Sequence, residues 1–218
     1  MRGLGSSLSA AAAYTLVVAT ASTAMGEANS PRLNDGAAVP SFTAKERAAL
    51  MAGGVVPRPM RFQHRGGRYI GGVSYQIVNA PPEVVYATLS TVSLLPETLP
   101  NTFAARRVDE ADSIRRVELT QGNAFVRATY TVCVVADPME SRIQFWLDPE
   151  RPHGIADAWG YFRAQPLGTD RSLVAVAVAL NLGSGLARLL FEDAVQTVAL
   201  ATPHHIREFV EPRYLALR

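Results

Sequence analysis

The sequence predicts an α+β domain: an antiparallel sheet of about six or seven strands, two short helices after the first strand, and one long C-terminal helix. Strand-like runs recur from Tyr69 to Leu180 with turn sequences between them, the spacing of neighbours joined by hairpins. One stretch among them, Asn79 to Leu99, is helical in character. From Leu186 to about Glu211, apolar residues follow helical spacing.

Each element has its own warrant. Ser41-Phe42-Thr43-Ala44-Lys45-Glu46 opens a short helix, because a hydroxyl stands three residues before a glutamate, the capping-box spacing. That helix runs through Leu50, stops at Gly53-Gly54 and is expected to pack on the outside of the domain. Val73, Tyr75 and Ile77 alternate with Ser74 and Gln76, which predicts a half-buried first strand. Pro81-Pro82-Glu83 starts the next helix, with proline tolerated in the first turn and an acid at the positive end of the dipole. A second short helical segment, Ser93 to Leu99, is interrupted by Pro96 and closed by Pro100. Strands are then expected at 105–108, 114–119, 125–135, 142–147, 156–164 and 173–180. Val126, Ala128, Tyr130 and Val132 share one face, Ile143, Phe145 and Leu147 another, while Val174, Val176, Val178 and Leu180 oppose a row of alanines. Pro203 lies inside the last helix and should kink it.

Before all of this stands a different kind of segment. Arg2 is the only charged side chain ahead of Glu27, and Ala10 to Ala24 is an unbroken run of small and apolar residues. Such a run reaches about 22 Å as a helix, short of a ~30 Å hydrocarbon core. Ser22-Thr23-Ala24 and Ala24-Met25-Gly26 both offer the small-residue exit that a signal peptidase requires. Residues 1–26 are therefore expected to be a secretory signal peptide, with cleavage near Ala24 or Gly26. The mature protein would be secreted or periplasmic, with no stable membrane span; an uncleaved N-terminal anchor is the alternative. Residues 27–67 are expected as a flexible leader carrying the one short helix.

Composition narrows the function. Apolar residues at 48% and charged residues at 18% suit an ordinary globular protein, and a net charge of +2 argues against nucleic acid as a partner. The most basic stretch, Arg58 to Arg68, reads as a solvated connecting segment. Cys133 is the only cysteine, so no internal disulfide forms, and its apolar surroundings make it a buried core residue. No phosphate-binding loop, dinucleotide fingerprint, nucleophile elbow or zinc-protease motif occurs. Asp148, His153 and Asp157 form the one acid-and-histidine cluster, in a proline-rich stretch that reads as a rigid turn. His204 and His205 are adjacent on a helix and point about 100° apart, so they do not share a metal ion. No catalytic residue, metal or cofactor is assigned. Tyr75 and Tyr130 fall on apolar faces, where their hydroxyls either pair with backbone and water or serve as polar contacts of a pocket. Trp146 and Trp159 sit on neighbouring strands with ambiguous parity, and Arg127 would enter a cavity only if its strand were turned over.

Gly72-Val73-Ser74-Tyr75-Gln76-Ile77-Val78-Asn79-Ala80-Pro81-Pro82-Glu83-Val84-Val85-Tyr86 resembles the opening strand and helix start of the START-like (SRPBCC, helix-grip) proteins, a group that includes polyketide cyclases and lipid-transfer domains. Gly160-Tyr161-Phe162-Arg163-Ala164-Gln165-Pro166 is similar to that group's penultimate strand, and the likeness covers roughly residues 68–213. It implies a curved sheet wrapped around the C-terminal helix, with an apolar cavity between them. A ligand there is expected to meet Tyr75, Tyr130, Phe145 and Trp159 from the sheet and Phe191, Val195 and Val198 from the helix. Three functions fit: an exported carrier of a hydrophobic small molecule or lipid, a cyclase- or dehydratase-like enzyme, and a structural or partner-binding module with a filled core.

Overall fold

The computed structural model describes residues 40–123, 126–184 and 186–217, and the side chains of these apart from 186–190. The expected signal peptide and residues 27–39 of the leader lie outside the described residues, as do Phe125 and the side chains of Leu186, Leu189 and Leu190.

The elements in chain order are α1 (Ala44–Met51), β1 (Val56–His64), β2 (Gly67–Val78), α2 (Pro82–Ser90), α3 (Leu95–Thr98), β3 (Thr102–Ala111), β4 (Ile114–Gly122), β5 (Arg127–Asp137), β6 (Arg142–Leu147), β7 (Asp157–Pro166), β8 (Ser172–Asn181), α4 (Leu186–Leu200) and α5 (Thr202–Ala216). The eight strands form one antiparallel sheet in the order β1-β2-β8-β7-β6-β5-β4-β3. Every sequential pair is a hairpin except β2 to β3. There the chain crosses from near one edge of the sheet to the other, and α2 and α3 carry it.

The sheet holds one strand more than its alternation reveals. The basic stretch expected as a connector is the edge strand β1 and its turn, paired with β2 from Val56↔Tyr75 to His64↔Gly67. Pro57 and Pro59 hide it, since proline suppresses a strand reading; an edge strand tolerates both where the missing N–H would face solvent. Thr43 and Glu46 close the expected capping box on α1. Arg58 then ties α1 to β1: its Nε donates to Glu46 Oε1 at 3.0 Å, and its guanidinium lies over the Phe42 and Tyr75 rings. That donated bond, more than any other cause, lowers the Glu46 carboxyl to about 2. The 92–98 segment divides just before Pro96, into a 3-10 turn (Val92–Leu94) and α3, whose first turn Pro96 occupies.

The long C-terminal helix is two helices. Ala201 separates α4 from α5, and Pro203 occupies the first turn of α5. Proline cannot donate to the carbonyl four residues back, that of Ala199. The Thr202 hydroxyl donates to it instead, at 2.7 Å. The break is thus closed without an orphaned acceptor.

Both faces of the central strands are buried. On the inner face Ile206, Phe209 and Val210 of α5 and Val85 and Leu89 of α2 pack against Val78, Ile143, Val174 and Val176. The outer face is covered by α1 and by aromatic rings. Tyr75, Tyr161 and Trp159 are the direct cross-strand partners of Ala175, Ala177 and Ala179 on β8. The row of alanines is a trough between bulky neighbours, which is why it needs no large side chains of its own.

Candidate functional site: a cavity beneath α4

A cavity of about 350 Å³ lies on the inner face, between β4–β8, the α2–α3 segment and α4. Strand alternation builds its floor. Val117 and Leu119 on β4, Tyr130 and Val132 on β5, Phe145 on β6, and Val178 and Leu180 on β8 all project into it. Phe191, Val195, Val198 and Ala199 of α4 form the roof, with Ala194 exposed at the rim. Phe145 lies tilted on Phe162 at 5.5 Å and passes over Gly160, where an added Cβ would come within 2.7 Å of the Phe145 ring. The glycine that resembled a family signature is therefore the space into which Phe145 fits.

What keeps α4 away from the floor is polar. Gln196 is buried, and its Nε2 donates to Met60 O at 3.0 Å and Gly71 O at 2.8 Å. Its Oε1 accepts from Arg61 Nε at 3.0 Å, and Arg61 also reaches Asp193. One turn earlier, Glu192 accepts from Arg68 Nε at 2.9 Å. The contacts fix the edge of α4 to β1 and β2, and Gln196 meets β2 at Gly71, which with Gly72 holds φ 142° and 135°, backbone that other residues rarely adopt. The apolar edge of the same helix is left over empty space.

Among the described residues, seven polar side chains line the cavity: Ser90, Asn101, Arg115, Gln121, Asn123, Tyr130 and Thr202. Tyr130 is buried, and its hydroxyl donates to Gln121 Oε1. Gln121 Nε2 donates onward to Thr102 Oγ1 at 2.8 Å. The partner is a side chain rather than backbone, and burial pushes the Tyr130 phenol well above its ordinary value. At the α2 end, Arg115 Nη1 donates to Ser90 O at 2.9 Å.

Five of the seven residues expected at a ligand line this space: Tyr130, Phe145, Phe191, Val195 and Val198. Tyr75 and Trp159 do not. Tyr75 is on the outer face, edge-on to Phe42 at 5.2 Å beneath α1. Trp159 is on the same face, clustered with Tyr69, Phe62 and Trp146. The reason is that both faces of β2 and β7 are buried. On β2 the inner face carries the buried polar Ser74 and Gln76, while the apolar row with Tyr75 lies outside under α1. At Trp159 β7 is apolar on both sides, so alternation does not say which face is inner. Arg127 stays outside too, its guanidinium 3.9 Å from the centre of the exposed Phe103 ring. The acid-and-histidine cluster is dispersed. Asp148 binds Arg116 at 2.8 Å, Asp157 accepts from the Tyr69 hydroxyl at 2.7 Å, and exposed His153 contacts Ile155 O at 2.7 Å. Burial, then the Asp157 bond, pushes the Tyr69 phenol up to about 12. Arg115 was not singled out in the sequence, although it shares parity with Val117 and Leu119; a charge near a strand end reads as solvent-facing.

A sequence-family model described as polyketide cyclase / dehydrase and lipid transport matches residues 78–203, more than half of the chain. Among solved structures, the fold recurs in the Zhui aromatase/cyclase of Streptomyces sp. R1128, at 19% identity and TM-score 0.58, over 67% of this chain and 95% of that one. A protein from Thermus thermophilus aligns at 18% identity and TM-score 0.56, over 66% and 97%. A STAR-related lipid transfer protein from Xanthomonas axonopodis aligns at 13% and 0.52, over 70% and 98%. Likeness at these identities is a likeness of fold. No curated protein matches the chain in sequence.

Proposed function

The chain belongs to the polyketide cyclase / dehydrase and lipid transport family, and from that premise we propose that it is an exported binding or carrier protein, holding a hydrophobic small molecule or lipid between its sheet and α4. The observation that carries this reading is the cavity itself: about 350 Å³, walled by aliphatic and aromatic side chains, with a few polar groups at its ends. Those are the size and lining of a small-molecule site. The aromatase/cyclase neighbour favours catalysis as the competing reading. Proton transfer near neutral pH calls for a group that titrates there. The titratable side chains among the described lining are Arg115 and Tyr130, and burial moves Tyr130 further from that range. Such a lining is suited to holding a ligand more than to transforming it.

Val195→Trp tests the reading. The indole should enter the empty space and abolish displacement of a fluorescent apolar probe, with little change in melting temperature. The control is Val174→Trp, in the filled core under α5 where Val174 is 0% exposed; overpacking there should cost about 1–3 kcal/mol. Equal destabilisation by both, with no probe bound by the wild type, would favour the filled structural module instead.

Export is supported by the charged start, the short apolar run and the small-residue exit of residues 1–26. Intact mass of protein recovered outside the cytoplasm should correspond to a start between Met25 and Glu27; a mass that includes residues 1–24 reverses this part of the proposal.

A further inference from the structure

We propose that the ligand of this cavity carries an anionic oxygen group, such as a carboxylate, and that Arg115 with Ser90 holds it at the α2 end. The inference rests on the cavity reading above and deepens it. Arg115 lies on the inner face of β4, opposite Val134 of β5, and both line the cavity. Its Nη1 is engaged by Ser90 O at the C-terminal end of α2, where a cation is favoured by the helix dipole. Its Nε is buried and makes no hydrogen bond; the nearest carboxylate oxygen, Glu110 Oε2, is 3.5 Å away. The Ser90 hydroxyl is buried and unpartnered as well. A buried donor without an acceptor is costly, and native structures satisfy nearly all of them with protein, water or ligand.

The local charge points the same way. Glu110 is shared between Arg107 and Arg115, so two guanidiniums face one carboxylate and a positive charge is left over. Around this corner the lining is apolar: Leu89, Val92, Val117, Val134 and Ala136. An oxyanion accepting from the guanidinium and the serine hydroxyl would partner Ser90 and give Arg115 the hydrogen bond that its 3.5 Å ion pair with Glu110 does not make, with its apolar body extending under α4 toward Phe145. Arginine suits that role through its fixed fork of donors. At the opposite end Tyr130, Gln121 and Thr102 already satisfy one another, so this corner is the one whose polar groups still call for a partner.

The test separates head group from tail. N-phenyl-1-naphthylamine, a neutral fluorescent probe, reports occupancy; decanoic acid and methyl decanoate compete for it at pH 7.5. Wild-type protein should prefer the acid by about tenfold, in keeping with a charge-assisted bond. Arg115→Gln should bring acid and ester to equality, each competition being read against the probe affinity measured for that same variant, and Ser90→Ala should remove part of the preference. If the wild type does not distinguish acid from ester, or Arg115→Gln keeps the preference, the assignment falls and the cavity reading stands. If the neutral probe does not bind the wild type at all, the cavity reading fails and takes this one with it. Should Arg115→Gln not fold, Arg115→Lys decides: about a threefold loss of preference is expected, and no loss overturns the assignment.

Discussion

Gly71→Val is expected to be the most damaging single substitution in the fold, lowering stability by at least about 4 kcal/mol or preventing folding altogether. Gly71 holds φ 142°, a conformation that costs any other residue strain. A Cβ there would also stand 1.9 Å from the carbonyl oxygen of Val178 on β8. At Gly72 the same addition would meet Arg58 O on β1 at 2.2 Å. Both obstacles are backbone, which cannot swing aside as a flexible side chain would. The ladder must open, and the β2 carbonyl that receives Gln196 moves with it. Urea unfolding monitored by far-UV circular dichroism measures the loss. A midpoint within error of the wild type would show that β2 accommodates a side chain at this position without cost.

Ile206→Ala should lower stability by about 2–5 kcal/mol, the range for removing a large aliphatic side chain from a filled core. Ile206 is 0% exposed and packs among residues of α2, β6 and β8. Val198→Ala, two turns earlier, should cost about 1 kcal/mol or less, because the methyls removed line the cavity instead of packing into the core. The asymmetry divides two consecutive helices by role: α5 is structural and α4 spans the cavity. Chemical denaturation of the two variants compares them directly. Similar losses would mean that α4 is packed as tightly as α5.

Where the sequence spoke clearly, local rules and tertiary structure agreed. Arg142 to Leu147 shows clean alternation and forms a strand with those bounds. Thr43 and Glu46 announced their cap, and Pro203 announced the break that Thr202 completes. The roof residues Phe191, Val195 and Val198 were legible because an amphipathic helix has one face to bury. Tyr75 and Trp159 were misplaced because a strand covered on both sides carries no label for its inner face. The strand β1 was obscured by prolines that matter only to a strand with two paired edges. Arg115 escaped because its role depends on the end of α2, twenty-five residues away in sequence. The gap between α4 and the sheet follows from Gln196 meeting carbonyls of β1 and β2, and no pattern along the chain encodes that distance.

The Ala201 break gives α4 and α5 separate mechanical fates, and the void under α4 extends this to volume. A folded chain that frames about 350 Å³ of largely apolar space, partly open to solvent, is packed less tightly under α4 than under α5. Hydrostatic pressure favours whichever state leaves less unfilled volume, so any part of this space that water does not fill makes the protein yield more readily to compression than when a ligand fills it. A ligand that occupies the space removes that weakness without adding a single contact to the α5 core. Resistance to pressure would therefore report occupancy of this protein even where its thermal stability, dominated by α5, hardly changes.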